Sequence, residues 1–287
     1  MSFYDTASTI VITCNNRLSP YVAMEVEALG YEIEETFVTG VRITGTMNDC
    51  IRLNLNLRCA SQVLYRIKEF KALDADEVYS SVYSYAWEKV LLKDGHLSIT
   101  SNVYNDTIKN NMYANLRVKD AIVDRMVKLT GERPNTGSEL SGAVIHLFWN
   151  LNEAALFIDT SGPSLARHGY RKIPGRAPML EALAAATILA SKWDKKSPFV
   201  NPMCGSGTLA IEAALIATNT APGLFRTNYA FMHIQGYDEE YYLEERGKLE
   251  NMITDEVKGL RIIATDYDRQ AIINAEKNAR AAGVADL

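Results

Sequence analysis

Residues 198–212 carry the clearest chemical pattern in the chain. They read Pro-Phe-Val-Asn-Pro-Met-Cys-Gly-Ser-Gly-Thr-Leu-Ala-Ile-Glu. This pattern predicts a buried strand that ends near Val200, a tight turn at Gly205-Ser206-Gly207 and a helix from Thr208. Glycine lets the backbone approach a ligand closely, and a helix N-terminus offers free N–H groups and a partial positive charge. The segment therefore predicts a small-molecule site.

A second candidate group follows about sixty residues later. Residues 261–265 read as a short apolar strand that ends at Asp266, and a helix is predicted from about Arg269. A carboxylate at the end of a strand beside a glycine loop can accept hydrogen bonds from both hydroxyls of a ribose. The usual interval between these two signals is roughly 20 residues, so we expect the acidic and aromatic residues 219–257 to form an insertion.

The glycine pattern by itself admits several ligands. Ala210 stands where the dinucleotide-binding fingerprint has its third glycine, which some nicotinamide-binding sites tolerate. Thr208 and Leu209 follow Gly207, so the lysine of a phosphate-binding P-loop is missing and a nucleoside triphosphate is disfavoured. A nicotinamide-dependent oxidoreductase stays open as an alternative, as does a glycine turn without a ligand. Cys204 has no evident histidine partner and is interpreted as a small packed residue, not a nucleophile.

Longer blocks around the glycine loop resemble one family. Asn201 to Thr208, with Ile-Glu-Ala-Ala at 211–214 and Ala-Pro-Gly at 221–223, resembles the first motif of the THUMP-domain class I S-adenosylmethionine-dependent methyltransferases. Within that family the motif is most similar to the bacterial rRNA guanine-N2 methyltransferases. Residues 161–162, 167–171 and 177–185 resemble the segment that precedes the motif. An eight-residue motif with flanking blocks in the same order is stronger evidence than the glycines alone.

The resemblance implies a cofactor, a reaction and a set of cofactor-binding residues. It implies transfer of a methyl group from S-adenosylmethionine to the exocyclic N2 of a guanine in rRNA. It places the methionine part of the cofactor at the glycine loop, above the end of the first strand, and the ribose hydroxyls at the acid of the second strand. A further acid near the adenosine completes the set, which is Asn201, Gly205, Ser206, Gly207, Asp266 and Asp268.

The catalytic part of the resembled family is missing from this sequence. A class I methyltransferase domain has seven strands, and only two are predicted after residue 178. The Asn/Asp-Pro-Pro-Tyr tetrapeptide that holds a target amine in such enzymes occurs nowhere in the chain, and Asn201-Pro202 precedes the glycine loop where that tetrapeptide does not belong. We therefore expect a C-terminally truncated enzyme that has no catalytic residues, binds its cofactor poorly and is inactive alone.

Composition limits the cellular setting and the partners. The formal charge is −5, which argues against a uniformly basic nucleic-acid binder but leaves room for a local basic face. The four cysteines show no CxxC pair or zinc-ligand spacing, so no metal site and no disulfide framework are expected. No export signal and no run of 18 apolar residues occurs, which favours a cytoplasmic protein that does not enter a membrane. The oligomeric state stays open.

The order of predicted elements divides the chain into four parts. We expect α+β organisation in a ferredoxin-like unit at 1–60 and in a THUMP-like RNA-binding unit at 61–160. A basic connector at 161–177 then leads to an incomplete α/β, Rossmann-like methyltransferase domain at 178–287. The predicted elements include a helix capped by Ser19, a tyrosine-rich helix at 75–92 and an alanine-rich helix at 178–192 whose small face packs on the methyltransferase sheet.

Candidate RNA contacts lie in the second unit and in the connector. The amphipathic helix predicted at 115–129 resembles the helix of the THUMP domain and carries Lys119 and Lys128. The connector carries Arg167, Arg171 and Lys172, which are either a phosphate-contacting strip or part of a flexible charged linker. His168 is interpreted as a lone histidine in a polar loop, with no ligand or base role. A non-catalytic RNA-binding module is the second alternative function.

Overall fold

The computed structural model describes residues 3–108, 110–255, 257 and 259–287. In this part of the chain, ten strands and eight α-helices are present. The strands are β1 (Ser8–Thr13), β2 (Glu35–Phe37), β3 (Gly40–Gly45), β4 (Gln62–Lys71), β5 (His96–Tyr104), β6 (Asn135–Thr136), β7 (Ala143–Asn150), β8 (Glu153–Asp159), β9 (Phe199–Pro202) and β10 (Ile262–Thr265). The helices are α1 (Ser19–Ala28), α2 (Met47–Asn56), α3 (Ala75–Tyr83), α4 (Asn111–Thr130), α5 (Glu181–Ser191), α6 (Thr208–Ala217), α7 (Glu239–Asn251) and α8 (Arg269–Ala281).

One sheet of eight strands runs through the first two units, in the order β2-β3-β1-β4-β8-β7-β5-β6. Strand β4 pairs antiparallel with β1 on one side and with β8 on the other. Its buried residues Val63, Leu64 and Tyr65 have Ile12, Val11 and Ile10 opposite them on β1. The ferredoxin-like and THUMP-like parts therefore share a central strand instead of meeting only through loops.

Two helix boundaries differ from the sequence prediction. Leu18, not Ser19, occupies the N-cap of α1, and Ser19 lies buried in the first turn. The helix predicted at 75–92 ends at Tyr83 because the chain turns to bury Trp87 completely, and the indole N–H donates to the Val82 carbonyl at 2.8 Å. Burial of a large ring thus outweighs the helical tendency of the sequence that follows.

The C-terminal part has two parallel strands, β9 and β10, with α5, α6 and α8. Helix α6 contacts α5, α8 and both strands, which agrees with its apolar residues on every side. The main contact of α5 is α6, and not the sheet that we expected. Its small alanine face lets the two helices approach closely.

The connector is a packed segment and not a flexible linker. Ser161, Leu165, His168 and Tyr170 are buried. The guanidinium of Arg226, from the predicted insertion, donates to the carbonyls of Ser161, Pro163 and Ser164 at 3.3, 2.7 and 3.1 Å. The insertion itself packs back on the first unit, where α7 contacts α2. These contacts fix the connector against its surroundings.

Two further properties concern membranes and metals. No helix in the described residues has the length and apolar character needed to span a membrane. Those same residues contain no group of three or more His, Cys, Asp and Glu side chains arranged to bind a metal ion.

Candidate functional site

The glycine loop and Asp266 meet at the same end of the two parallel strands. Residues Thr265 and Pro202 are paired, so the loops that follow β9 and β10 leave the sheet side by side. The Cys204 amide donates to the Thr265 carbonyl at 2.8 Å, and the Gly205 amide donates to Asp266 Oδ2 at 2.9 Å. The predicted convergence of the loop and the acid is therefore present in the structure.

Asp266 is held as an anion by backbone donors. The Asp268 amide donates to its Oδ1 at 2.9 Å, and the Gly205 amide donates to Oδ2. These N–H groups lower the pKa of Asp266 below its ordinary value, the Asp268 amide having the larger effect. Each carboxylate oxygen has two lone pairs, so both can still accept a bond from a ligand hydroxyl.

Asp268 has a structural task of its own. It is the N-cap of α8, and its Oδ1 accepts a hydrogen bond from the Gln270 amide at 2.8 Å. Its proposed contact with an adenosine stays a prediction.

A cleft of about 240 Å³ opens beside the glycine loop. Residues 175–179 form one wall, and residues 201–209 form the other. Ser206 and Asn201 are only 5% and 8% exposed, and Ser206 Oγ and Asn201 Oδ1 lack hydrogen-bond partners within the described residues. Buried polar atoms without a partner are costly, so the pair marks a place where a polar ligand would supply the missing bonds.

The two glycines of the loop have different surroundings. Gly207 has φ of +86°, and a Cβ there would lie 2.9 Å from the Ala275 Cβ of α8. Gly205 has φ of +54°, and a Cβ there would have no atom within 4 Å. Gly207 thus permits close packing of α6 against α8, whereas Gly205 leaves open space at the cleft.

Cys204 lies inside this turn and is 8% exposed. Burial, followed by the charge of Asp266, raises the pKa of its thiol. A raised pKa disfavours the thiolate, which agrees with the interpretation of Cys204 as a packed residue and not a nucleophile.

Arg171 binds residues of both cleft walls. Its guanidinium is ion-paired with Glu181 and donates to the Met179 carbonyl at 2.9 Å and to Thr208 Oγ1 at 3.3 Å. The side chain is 10% exposed and that of Glu181 is 3% exposed. The structure therefore places this predicted RNA contact where it joins the two walls of the cleft.

The other four predicted RNA contacts lie apart from the cleft. Lys119 pairs with Asp120 at 3.0 Å, and the Lys128 ammonium lies 5.8 Å from the centre of the Tyr83 ring. Both lysines are on α4. In the connector, Arg167 is exposed, and Lys172 donates to the Gly169 carbonyl at 3.2 Å.

Asn278 is a positioning residue that the sequence reasoning missed. It is fully buried on α8, and its Oδ1 accepts from the amides of Lys172 and Ile173, both at 3.0 Å. Its Nδ2 donates to the Ile173 carbonyl at 2.9 Å and to the Ser206 carbonyl at 3.0 Å. One amide thus ties the connector to the glycine loop. An asparagine three residues after Ala275, on the inward stripe of an amphipathic helix, was the available signal.

The interpretation of His168 as a histidine in a polar loop is wrong. Its side chain and that of Glu212 are 0% exposed, with His168 Nδ1 and Glu212 Oε1 2.7 Å apart. His168 Nε2 lies 2.8 Å from the Arg58 carbonyl. Burial lowers the pKa of His168, but the Glu212 carboxylate and the Arg58 carbonyl more than offset it, and the pKa is raised. The sequence feature that could have indicated this pair is Glu212, which is the single charged residue of helix α6.

Three family models match successive parts of the chain. A model described as the RlmL ferredoxin-like domain matches residues 9–64, and the THUMP domain matches residues 72–159. A model described as an RMKL-like methyltransferase domain matches residues 168–287.

Two solved structures agree closely with the whole arrangement. SMU.472, crystallised in complex with SAH, is 30% identical with a TM-score of 0.86, and the match covers 98% of this chain and 74% of that one. A protein of Listeria monocytogenes str. 4b F2365, named as an N6-adenine-specific DNA methylase, is 32% identical with a TM-score of 0.87, and the match covers 98% and 73%.

The chain belongs to the THUMP-domain methyltransferase family. The predicted family is thereby confirmed, and so is the predicted combination of ferredoxin-like, THUMP and Rossmann-like parts. TrmN from Thermus thermophilus, 15% identical with a TM-score of 0.65, shares the fold.

Curated relatives carry a more specific name. The Ribosomal RNA large subunit methyltransferase K/L of Aliivibrio fischeri (strain MJ11) is 36% identical over 272 residues, and the Aliivibrio salmonicida protein of that name is 36% identical over the same length. The match covers 94% of this chain, which spans 39% of the length of these relatives. The relatives' names differ in the nucleic acid, rRNA in one case and DNA in the other.

Proposed function

We propose that this THUMP-domain methyltransferase chain holds S-adenosylmethionine for methyl transfer to the exocyclic N2 of a guanine in rRNA. The observation that carries the proposal is the hydrogen bond from the Gly205 amide to Asp266. It joins a glycine-rich loop to an ionised acid at one end of the parallel strands. Such a combination suits a ligand with a polar amino-acid end and a ribose.

The described residues fit this cofactor. Ser206 Oγ and Asn201 Oδ1 are buried and lack partners, so they offer one donor and two acceptors to the ammonium and carboxylate of methionine. Asp266 offers acceptors to the ribose hydroxyls. The bound cofactor supplies a methyl group on a sulfonium, which is already a strong electrophile. The task of the chain is therefore to hold and orient the donor and to exclude water from it.

The relatives support the cofactor and the rRNA substrate of the proposal, whereas the guanine N2 rests on the motif resemblance. SAH, the demethylated product of S-adenosylmethionine, is bound in SMU.472. The Aliivibrio relatives are named as rRNA methyltransferases, and the THUMP match lies in the part of this chain that we assign to RNA binding. We propose the division into units at 1–60, 61–160, 161–177 and 178–287 on the same grounds.

We further propose that these 287 residues do not transfer a methyl group by themselves. None of them forms the Asn/Asp-Pro-Pro-Tyr tetrapeptide that would hold the guanine amine. A chain with the donor site alone can bind cofactor, but it lacks the group that brings the amine in line with the methyl carbon.

A methyl-transfer assay tests the proposal. The 287-residue chain, and a chain extended at its C-terminus to the length of the solved relatives, are incubated with S-adenosylmethionine labelled in the methyl group and with large-subunit rRNA. We expect label in the RNA with the extended chain alone, and N2-methylguanosine after nuclease digestion. Label on adenine or in DNA would contradict the substrate. Label transferred by the 287-residue chain would contradict its inactivity.

A further inference from the structure

A second groove, of about 580 Å³, is separate from the cofactor cleft. Its walls come from the turn after β1 at Asn15, the loop before β7 at Ser141, connector residues 163–169 and residues 225–228. All the units of the chain thus contribute to one groove. Leu180 lines the groove, and its neighbour Met179 lines the cofactor cleft.

The charge of this groove is opposite in sign to that of the chain. The chain has 35 acidic and 30 basic residues, yet the groove is lined by two arginines and no carboxylate. The guanidinium of one of them, Arg226, already donates to backbone carbonyls of the connector. The other, Arg167, is exposed, and its guanidinium has no hydrogen-bond or ion-pair partner among the described residues.

Arg167 is carried by a segment that is fixed on both sides. Before it, the carbonyls of residues 161, 163 and 164 are bound by Arg226. The Ala166 carbonyl accepts from the Ala182 amide of α5 at 3.2 Å, and His168 is locked in its buried ion pair. Because the backbone is already ordered, binding of an anion costs only the entropy of ordering the Arg167 side chain.

We propose that this groove binds the phosphodiester backbone of RNA and that Arg167 contacts a phosphate there. The proposal rests on the function proposed above and adds the path of the substrate to it. Asn15, Ser141 and Thr227 supply short polar groups of the kind that donate to phosphate and sugar oxygens. Half-buried Phe225 offers a ring face to an unstacked base. RNA in this groove would lie next to the cofactor cleft across residues 179–180.

Binding of an RNA probe to charge-reversal variants tests the groove. The probe is a fluorescein-labelled RNA hairpin with a single-stranded extension, and its anisotropy is measured with the whole chain over a salt series from about 50 to about 200 mM. The variants are Arg167→Glu and Thr227→Glu, which alter the connector and the segment 225–228 of the groove lining. Arg133→Glu is the matched control, because Arg133 is an exposed arginine in the loop after α4 and outside the groove. Thermal unfolding of each variant verifies that it is folded.

We expect Arg167→Glu and Thr227→Glu to weaken RNA binding about tenfold or more, and Arg167→Ala to reduce the salt slope by about one. Arg133→Glu should stay within about twofold of the wild type. If the wild type binds RNA and all three glutamate variants bind alike, the groove assignment is wrong and the RNA function stands. If the wild type binds no RNA, the RNA part of the proposed function fails, and the groove assignment fails with it.

Discussion

The Gly205 amide and the Asp266 carboxylate, 61 residues apart, are joined by a hydrogen bond of 2.9 Å at the ends of two parallel strands. This bond orients the glycine turn and fixes the acid in one arrangement. Because Asp266 accepts from two backbone amides, it is positioned before any ligand arrives. A site that is already ordered loses less free energy on binding than one that must be assembled.

Removal of the Asp266 carboxylate should weaken cofactor binding much more than it weakens the fold. In Asp266→Ala, we expect the Kd for S-adenosylhomocysteine, measured by isothermal titration calorimetry, to rise by about tenfold or more, since hydrogen bonds to a charged group contribute about 1.5–3 kcal/mol. Glu276→Ala is the control, because Glu276 is an exposed carboxylate on α8 that lies outside the cofactor cleft. Equal affinity losses in the two variants would contradict the role given to Asp266.

The two glycines of the loop should respond differently to an added methyl group. Gly207→Ala places an alanine in a left-handed conformation, and its Cβ would clash with Ala275. We therefore expect it to lower the free energy of unfolding by about 2–4 kcal/mol. Gly205→Ala meets open space, and its cost should stay near the conformational strain of about 1 kcal/mol. Urea unfolding of both variants measures the difference. A larger loss for Gly205→Ala would show that the packing of α6 on α8 is not the constraint.

The parts of the site that the sequence predicted are those that follow local rules. A strand, a glycine turn and a helix are encoded within residues 198–212, and an acid after a strand marks the carboxyl end of the sheet. Parallel strands place their carboxyl ends at one edge, so Gly205 and Asp266 had to approach each other. The pairing of β4 with both β1 and β8 was not predicted, because strand patterns specify which face is buried and not which neighbour is chosen.

The buried ion pair of His168 and Glu212 should contribute stability that depends on pH. Because the pKa of His168 in the folded chain is raised above 6.5, the contribution is complete below pH 6.5 and is lost as the pH rises through the raised pKa. His168→Ala leaves Glu212 buried without its partner, and we expect a loss of about 3–5 kcal/mol at pH 6. Urea unfolding at a series of pH values measures both effects.

A double variant supplies the control for this pair. His168→Gln with Glu212→Gln keeps two polar side chains in place and removes both charges. Burial and then Glu212 raise the pKa of Tyr170, and burial and then Glu25 raise the pKa of Cys59, so neither side chain ionises in the folded chain between pH 6 and pH 9. We expect the stability difference between wild type and double variant to shift against the wild type as the pH rises above 6.5. A difference that does not change from pH 6 to pH 9 would mean that folding leaves the pKa of His168 unchanged, and a shift in favour of the wild type would mean that His168 is neutral in the folded chain.

Asn278 should affect the cofactor site without touching the cofactor. Asn278→Leu leaves two backbone amides and two carbonyls without their partner, and each buried unpaired group costs about 1–3 kcal/mol. We expect a lower free energy of unfolding and weaker binding of S-adenosylhomocysteine, because Ser206 loses its anchor. Gln270→Leu, at the exposed start of α8, is the control. An unchanged Kd in Asn278→Leu would remove the link to the glycine loop.

Asn278, His168 and Arg171 share a reason for escaping prediction. Each acts through a partner more than nine residues away, and a single sequence gives no indication of which distant groups a buried polar side chain meets. Two of the groups involved could have been noticed on their helices, because Glu212 in α6 and Asn278 in α8 interrupt inward-facing apolar residues. The connector looked like a charged linker because its charges are visible in the sequence and their pairing is not.

The most direct measurement compares S-adenosylhomocysteine with NAD as ligands of the wild-type chain and of Asp266→Ala by isothermal titration calorimetry. The account predicts that S-adenosylhomocysteine binds the wild type weakly but measurably, that its Kd rises in Asp266→Ala, and that NAD fails to compete with it. Tighter binding of NAD than of S-adenosylhomocysteine, or binding of S-adenosylhomocysteine that does not change in Asp266→Ala, would contradict the account.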